Sequence, residues 1–166
     1  MTIEDGYNAI SRELESWLLD NGFEEVKVGF GSDFSYYLAK SYIQYSLMVP
    51  SNTTEDFERV LADLGCKIKV DQFYSSFLHE LGHHETYELL EDDEIDFSES
   101  EKNRIRATME SDHEVNMTYY YLPDEIIATQ WAVDFMNEHT DAVIDMINRI
   151  SPKIHEFYKI FEEGVV

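Results

Sequence analysis

Apolar and polar positions divide this chain into short segments of two kinds. Residues 4–21 set Tyr7, Ile10, Leu14, Trp17 and Leu18 at helical spacing, and Asn21-Gly22 closes the stretch. Residues 24–30 alternate instead, with Val26, Val28 and Phe30 on one face, which predicts a strand. Gly29, Gly31 and Ser32 mark the turn after it. Tyr42–Val49 is a second β-rich run, stopped by Pro50. Residues 53–64 return to helical spacing, with Thr53 as N-cap and Gly65 past the end. Cys66–Val70 alternates again, Ile68 and Val70 opposing Lys67 and Lys69, and predicts a third short strand.

Helices dominate from there on. One is expected at about 72–90. The acidic run from Glu88 to Glu101 is expected as a solvated loop leading into a short helix near 98–110. Residues 123–136 form another helix: Pro123 suits its first turn, and Ala128, Ala132 and Met136 recur every fourth residue. The last, about 140–163, turns Val143, Ile147, Ile150, Ile154, Tyr158 and Phe161 inward, and Ser151-Pro152 should break or kink it. Strands ahead of a helical tail predict an α+β fold. It comprises a small sheet of about three strands from residues 24–70 on the 72–90 helix, with C-terminal helices covering the other side.

Composition narrows the class. At 166 residues the chain fits one domain, 1–166. Its apolar content of 43% supports a packed core and excludes a disordered protein. Cys66 is the single cysteine, so no internal disulfide forms, which suggests a reducing compartment. The N-terminal residues have neither the basic region nor the apolar stretch of a signal peptide, and no apolar run approaches a membrane span. A cytoplasmic protein is expected. The formal charge of −23 opposes binding to nucleic acid and to anionic membranes, so no direct contact with either is expected.

The candidate chemistry lies in Phe77-Leu78-His79-Glu80-Leu81-Gly82-His83-His84-Glu85, which contains HExxH. Residues four apart share one helix face, so His79 and His83 can grip one metal ion. Glu80 is turned roughly 100° from His79, where it can hold a water on the metal rather than the metal itself. Gly82 gives the metal side of the helix room. A catalytic zinc needs a third protein ligand from another element, and His113, Glu114, Asp124, Glu125, Asp134 and His139 are available. Glu125 shares the Ala128–Ala132 stripe, where a carboxylate needs a partner. Asp134 lies about 180° around the same helix.

HELGH followed by a helix of the form E-x-x-A-x-x-x-A resembles the gluzincin zinc peptidases, in particular the small ImmA/IrrE-like group. The resemblance covers residues 77–85 and 123–136. It implies a minimal zincin-like domain with zinc held by His79, His83 and Glu125, and with Glu80 as general base. It also implies cleavage of a specific intracellular protein or peptide. The family usually carries Asp or Asn one turn after the Glu ligand, where it steadies a His ligand. This chain has Thr129, whose hydroxyl can hydrogen-bond but orients an imidazole less firmly.

A second electrophile usually helps hold the oxyanion. His113, Tyr119, Tyr120 and Tyr121 are candidates, all ahead of Glu125, although core or surface packing is the commoner role of such tyrosines. Two other functions compete with the peptidase. One is a non-catalytic binding or regulatory protein on the metalloprotease scaffold. The other is an acidic interaction protein that mimics nucleic acid, with HExxH accidental.

Overall fold

The computed structural model describes residues 1–47, 51–108 and 112–163, the side chains of residues 51–53 apart. Within these the chain is mixed α+β and mostly helical, with seven α-helices and one three-stranded sheet. None of the helices is long and apolar enough to cross a membrane. The chain divides into two compact units, residues 1–46 with 139–166, and residues 47–138.

The first unit joins the sheet to two helices distant in sequence. Helix α1 (Ile3–Asp20) begins with a capping box: Thr2 Oγ1 accepts from the Asp5 amide, and the Asp5 carboxylate accepts from the Thr2 amide. It buries Ile10, Leu14, Trp17 and Leu18 as their spacing predicts, and ends at Asn21 before Gly22, whose φ of +87° needs no Cβ. Strands β1 (Lys27–Phe30), β2 (Ser35–Tyr37) and β3 (Tyr42–Tyr45) form a sheet of order β1-β3-β2. Val28 pairs with Ile43 in the parallel ladder, and Tyr36 pairs with Ile43 in the antiparallel one. Helix α1 packs against β1 and against the C-terminal helix α7 (Thr140–Glu162). Trp17 Nε1 donates to the Ala142 carbonyl at 2.9 Å, and Tyr45 donates to the Tyr7 carbonyl at 2.9 Å.

Helix α7 runs unbroken through Pro152, against expectation. The proline removes only the bond to the Asn148 carbonyl, and buried Ile150 and Phe157 anchor the helix on either side. Its inner stripe is Val143, Met146, Ile150 and Phe157, so the expected inner residues Tyr158 and Phe161 are exposed.

The second unit is helical: α2 (Ser51–Asp63), α3 (Gln72–Thr86), α4 (Asp92–Thr108), α5 (His113–Tyr120) and α6 (Pro123–Glu138). Thr53 lies inside α2 rather than capping it. Pro50 and the end of the expected Tyr42–Val49 strand lie outside the described residues.

The number of strands matches expectation, but their membership does not. Residues 66–70 pair with no strand among the described residues, and Ser35–Tyr37 supplies the third. The reason is a side chain remote in sequence. Asn137 Oδ1 accepts the Lys67 amide at 2.8 Å and Asn137 Nδ2 donates to the Gly65 carbonyl at 3.0 Å, so a side chain satisfies that backbone in place of a ladder. The acidic run is helical from Asp92 instead of a loop. Asp92, Asp93 and Glu94 fall in the first turn of α4, where negative charge favours the helix dipole. The Tyr119–Tyr121 run closes α5, which Asp112 caps through the Val115 amide at 2.9 Å.

Candidate functional site

Helix α3 buries every residue from Tyr74 to Gly82, on all its faces. Phe77, Leu78 and Leu81 fill that environment without cost, but His79 and Glu80 do not, since buried polar groups need partners. The partners of His79 come from α6. That helix buries Glu125, Ala128, Thr129, Ala132, Val133 and Met136, the i, i+3, i+4, i+7 pattern of one face.

Small residues set how closely the two helices approach. A Cβ on Gly82 would stand 2.3 Å from the Ala128 carbonyl oxygen and 3.1 Å from its Cα. The room left by Gly82 is therefore filled by the backbone of α6 rather than by a metal. That approach carries Glu125, about one turn before the contact, and Thr129, the next residue after it, onto His79.

The contacts are specific. His79 Nε2 lies 2.8 Å from Glu125 Oε2, and His83 Nε2 lies 3.4 Å from Glu125 Oε1. The Thr129 hydroxyl donates to the Glu125 carbonyl at 2.8 Å. Having spent its one proton there, it accepts from His79 Nδ1–H at 2.9 Å. This chain of bonds selects the Nδ1–H tautomer and turns Nε2 towards Glu125. A lone pair on Nε2 at 2.8 Å from a carboxylate oxygen requires a positive centre between them, either a proton or a metal ion. The Phe57 ring meets the His79 imidazole edge-on, centroids 5.6 Å apart, and closes its outer side.

The carboxylate is electrostatically well supported. Burial alone would raise the Glu125 pKa, but His83 and His79 facing it outweigh that and hold it well below the usual carboxylate range. Lys102 of α4 is the larger surprise. Its ammonium donates to Glu125 Oε1 at 2.6 Å and to Asp124 Oδ2, and sits 5.3 Å from the centre of the Tyr119 ring. Burial would lower the Lys102 pKa, yet the charges of Glu125 and Asp124 raise it overall, so the ammonium stays charged. Asp124 Oδ1 is buried with no hydrogen-bond partner.

Tyr119 belongs to the same cluster. Burial first, then the charges of Glu125 and Glu80, push its phenol far above the ordinary value, so it remains protonated at neutral pH. Tyr120 is pushed up to about 12 by burial and by Glu125, and packs on Phe57 with ring centres 5.5 Å apart.

His79, Glu80, Glu125 and Thr129, all buried, thus share one site with half-buried His83. His113 does not join it. Its Nδ1 donates to Asp56 at 2.5 Å and its Nε2 accepts from Arg59 at 3.4 Å, so it ties α5 to α2. Asp134 is exposed and accepts from Gln130 at 2.9 Å. Lys102 carried no motif. The only hint was charge: no Lys or Arg falls between Lys69 and Lys102 in a very acidic stretch.

The donor set suits a divalent metal. His79, Glu80 and His83 form one group with ligand atoms within 4.8 Å, and His83, Asp124 and Glu125 form another. Ligand atoms about 2.0–2.1 Å from a tetrahedral zinc stand roughly 3.3–3.4 Å apart. The separation of His83 Nε2 from Glu125 Oε1, 3.4 Å, is close to that edge, although Lys102 holds the same oxygen. The His79–Glu125 separation of 2.8 Å is that of a direct hydrogen bond. It would open by about half an ångström to accept the ion.

Comparisons with protein-family models, with curated proteins and with solved structures find no match for this chain.

Proposed function

We propose that this chain is a zinc-dependent metallo-endopeptidase of minimal zincin-like type that cleaves a specific protein or peptide partner. The observation that carries the reading is the convergence of His79, His83 and Glu125 from two helices, with Thr129 holding His79 in the tautomer a metal needs. His79, His83 and Glu125 would be the ligands. Zinc in that position supplies Lewis acidity towards a peptide carbonyl and acidifies a water.

The chain's own groups do the rest. Glu80, next to His79 and turned off the ligand face, takes the proton of the attacking water and passes it to the leaving amine. Tyr119, whose phenol burial keeps protonated, is the group we propose to donate to the developing oxyanion. Thr129 keeps the His79 ring from rotating. With one half-buried free cysteine and no disulfide, the chain fits a reducing compartment, and we place it in the cytoplasm as part of the same proposal.

A second reading has its own support. Lys102 already gives Glu125 a positive partner, which suits a binding or regulatory protein that keeps the scaffold without chemistry. The discriminating experiment is Glu80→Gln in zinc-loaded protein mixed with candidate partners. A peptidase loses cleavage by on the order of 10²–10⁴ with zinc content retained. A binding protein shows no metal-dependent fragment in either form and keeps its partner.

A further inference from the structure

We infer that Lys102 is a positioning residue that holds Glu125 as a one-oxygen ligand and, as a resident cation, sets the site's zinc affinity low enough for exchange. This deepens the zinc reading above and rests on it. The geometry is direct. The ammonium donates to Glu125 Oε1 at 2.6 Å, while Glu125 Oε2 faces His79 Nε2 at 2.8 Å. The two oxygens of one carboxylate therefore have separate duties. Lys102 claims Oε1, which also lies 3.4 Å from His83 Nε2, and so blocks two-oxygen chelation; Oε2, facing His79, is left as the ligand oxygen.

The rest of the ammonium is equally committed. It bonds Asp124 Oδ2 and stands over the face of Tyr119, so its stem and head are fixed from α4, α5 and α6. Its side chain keeps only 15% of its exposure, so water screens it little. A divalent ion held at Glu125 Oε2 would stand one carboxylate width from this charge.

Two effects of removing Lys102 favour zinc. Repulsion between the ammonium and the ion disappears. Half-buried Asp124 and buried Glu125 are also left as adjacent carboxylates without their cation, and a metal then relieves their repulsion. One effect opposes zinc: the loss of an outer partner that orients a ligand, which typically costs 10–100-fold in affinity. Poorly screened charges one carboxylate apart outweigh it, so affinity rises.

The test is a zinc titration against a chromophoric chelator. It uses the full chain, Lys102→Met, Lys102→Arg and Lys102→Gln, with His79→Ala to identify binding at this site and circular dichroism to check folding. The inference expects one zinc in the parent, at least tenfold tighter binding in Lys102→Met, and Lys102→Arg within about threefold of the parent because charge and donors are kept. Lys102→Gln keeps a donor of similar length without charge. It should tighten likewise, and it decides the matter if Lys102→Met does not fold. Equal or weaker binding by folded Lys102→Gln, with the parent binding one zinc, overturns the role of Lys102 and leaves the zinc reading standing. No zinc in the parent or in either uncharged variant overturns both. Zinc only in the uncharged variants overturns the inference as stated, because Lys102 then excludes the metal instead of tuning an exchanging site, and the zinc reading of the parent falls with it.

Discussion

Gly82 and Ala128 lie in backbone contact: a Cβ on the glycine would sit 2.3 Å from the alanine carbonyl oxygen. This approach of α3 and α6 decides whether the site exists. It brings the carboxylate of Glu125 and the hydroxyl of Thr129, from either side of Ala128, to the two nitrogens of one imidazole.

Gly82→Ala therefore tests the helix pair. In an exposed helix the change would stabilise by about 1 kcal/mol. Here overpacking against a backbone atom, which cannot rotate away, costs about 1–3 kcal/mol and dominates. The expected result is a lower urea midpoint together with weakened zinc binding. A midpoint at or above the parent's would show that α6 has no need of the close approach.

Thr129→Val removes the hydroxyl at nearly constant volume. His79 Nδ1–H then loses its acceptor in a buried position, a loss of about 1–3 kcal/mol in stability. Zinc affinity should fall by roughly 10–100-fold, and Thr129→Ser should restore most of it. Chelator competition measures both. Equal affinity for the valine variant would show that Phe57 and packing suffice to orient the ring.

Asp56 predicts a pH effect away from the site. Hydrogen bonds from Asn116 at 2.9 Å and from His113 at 2.5 Å lower its pKa below the ordinary value. A depressed carboxylate contributes stability that is complete above its unfolded pKa, about 3.9, and is lost as pH falls through the folded value. Asp56→Asn should thus be less stable than the parent at pH 7. The difference should shrink steadily once the pH drops below about 4. Denaturant unfolding at a series of pH values checks it, and a difference that grows in acid would contradict it.

Arg149 predicts a loss confined to the unit built by α1 and α7. Its guanidinium reaches Glu13 at 2.7 Å, Asp20 at 2.9 Å, Asp145 at 3.2 Å and Ser16 at 2.8 Å. Lysine cannot span this fork, so Arg149→Lys should cost about 1 kcal/mol in low salt and less in 1 M salt. Hydrogen exchange in α1 and α7 should quicken while α3 keeps its protection. Quickened exchange in α3 alone would argue against this assignment.

Much of this protein is written in local pattern. The stripe of α1, the Glu125–Ala128–Ala132 face of α6 and the i, i+4 pair His79 and His83 follow from a 3.6-residue repeat, which needs only neighbours along one helix to be read. The acids of Asp92–Glu94 could be read two ways, because a run of charge suits a solvated loop and a helix N-terminus alike. Which strand completed the sheet was not local: Asn137, remote in sequence, satisfies the backbone of residues 65–67, and Ser35–Tyr37 pairs with β3 instead. Lys102 was invisible for the same reason. Its importance lies in meeting Asp124 and Glu125, more than twenty residues on, and no periodicity encodes a meeting between helices. Residue types and spacing determined which side chains could ligate and which face each helix would bury. Tertiary packing, through Gly82 against Ala128, decided that those side chains meet and that a buried ammonium shares their carboxylate.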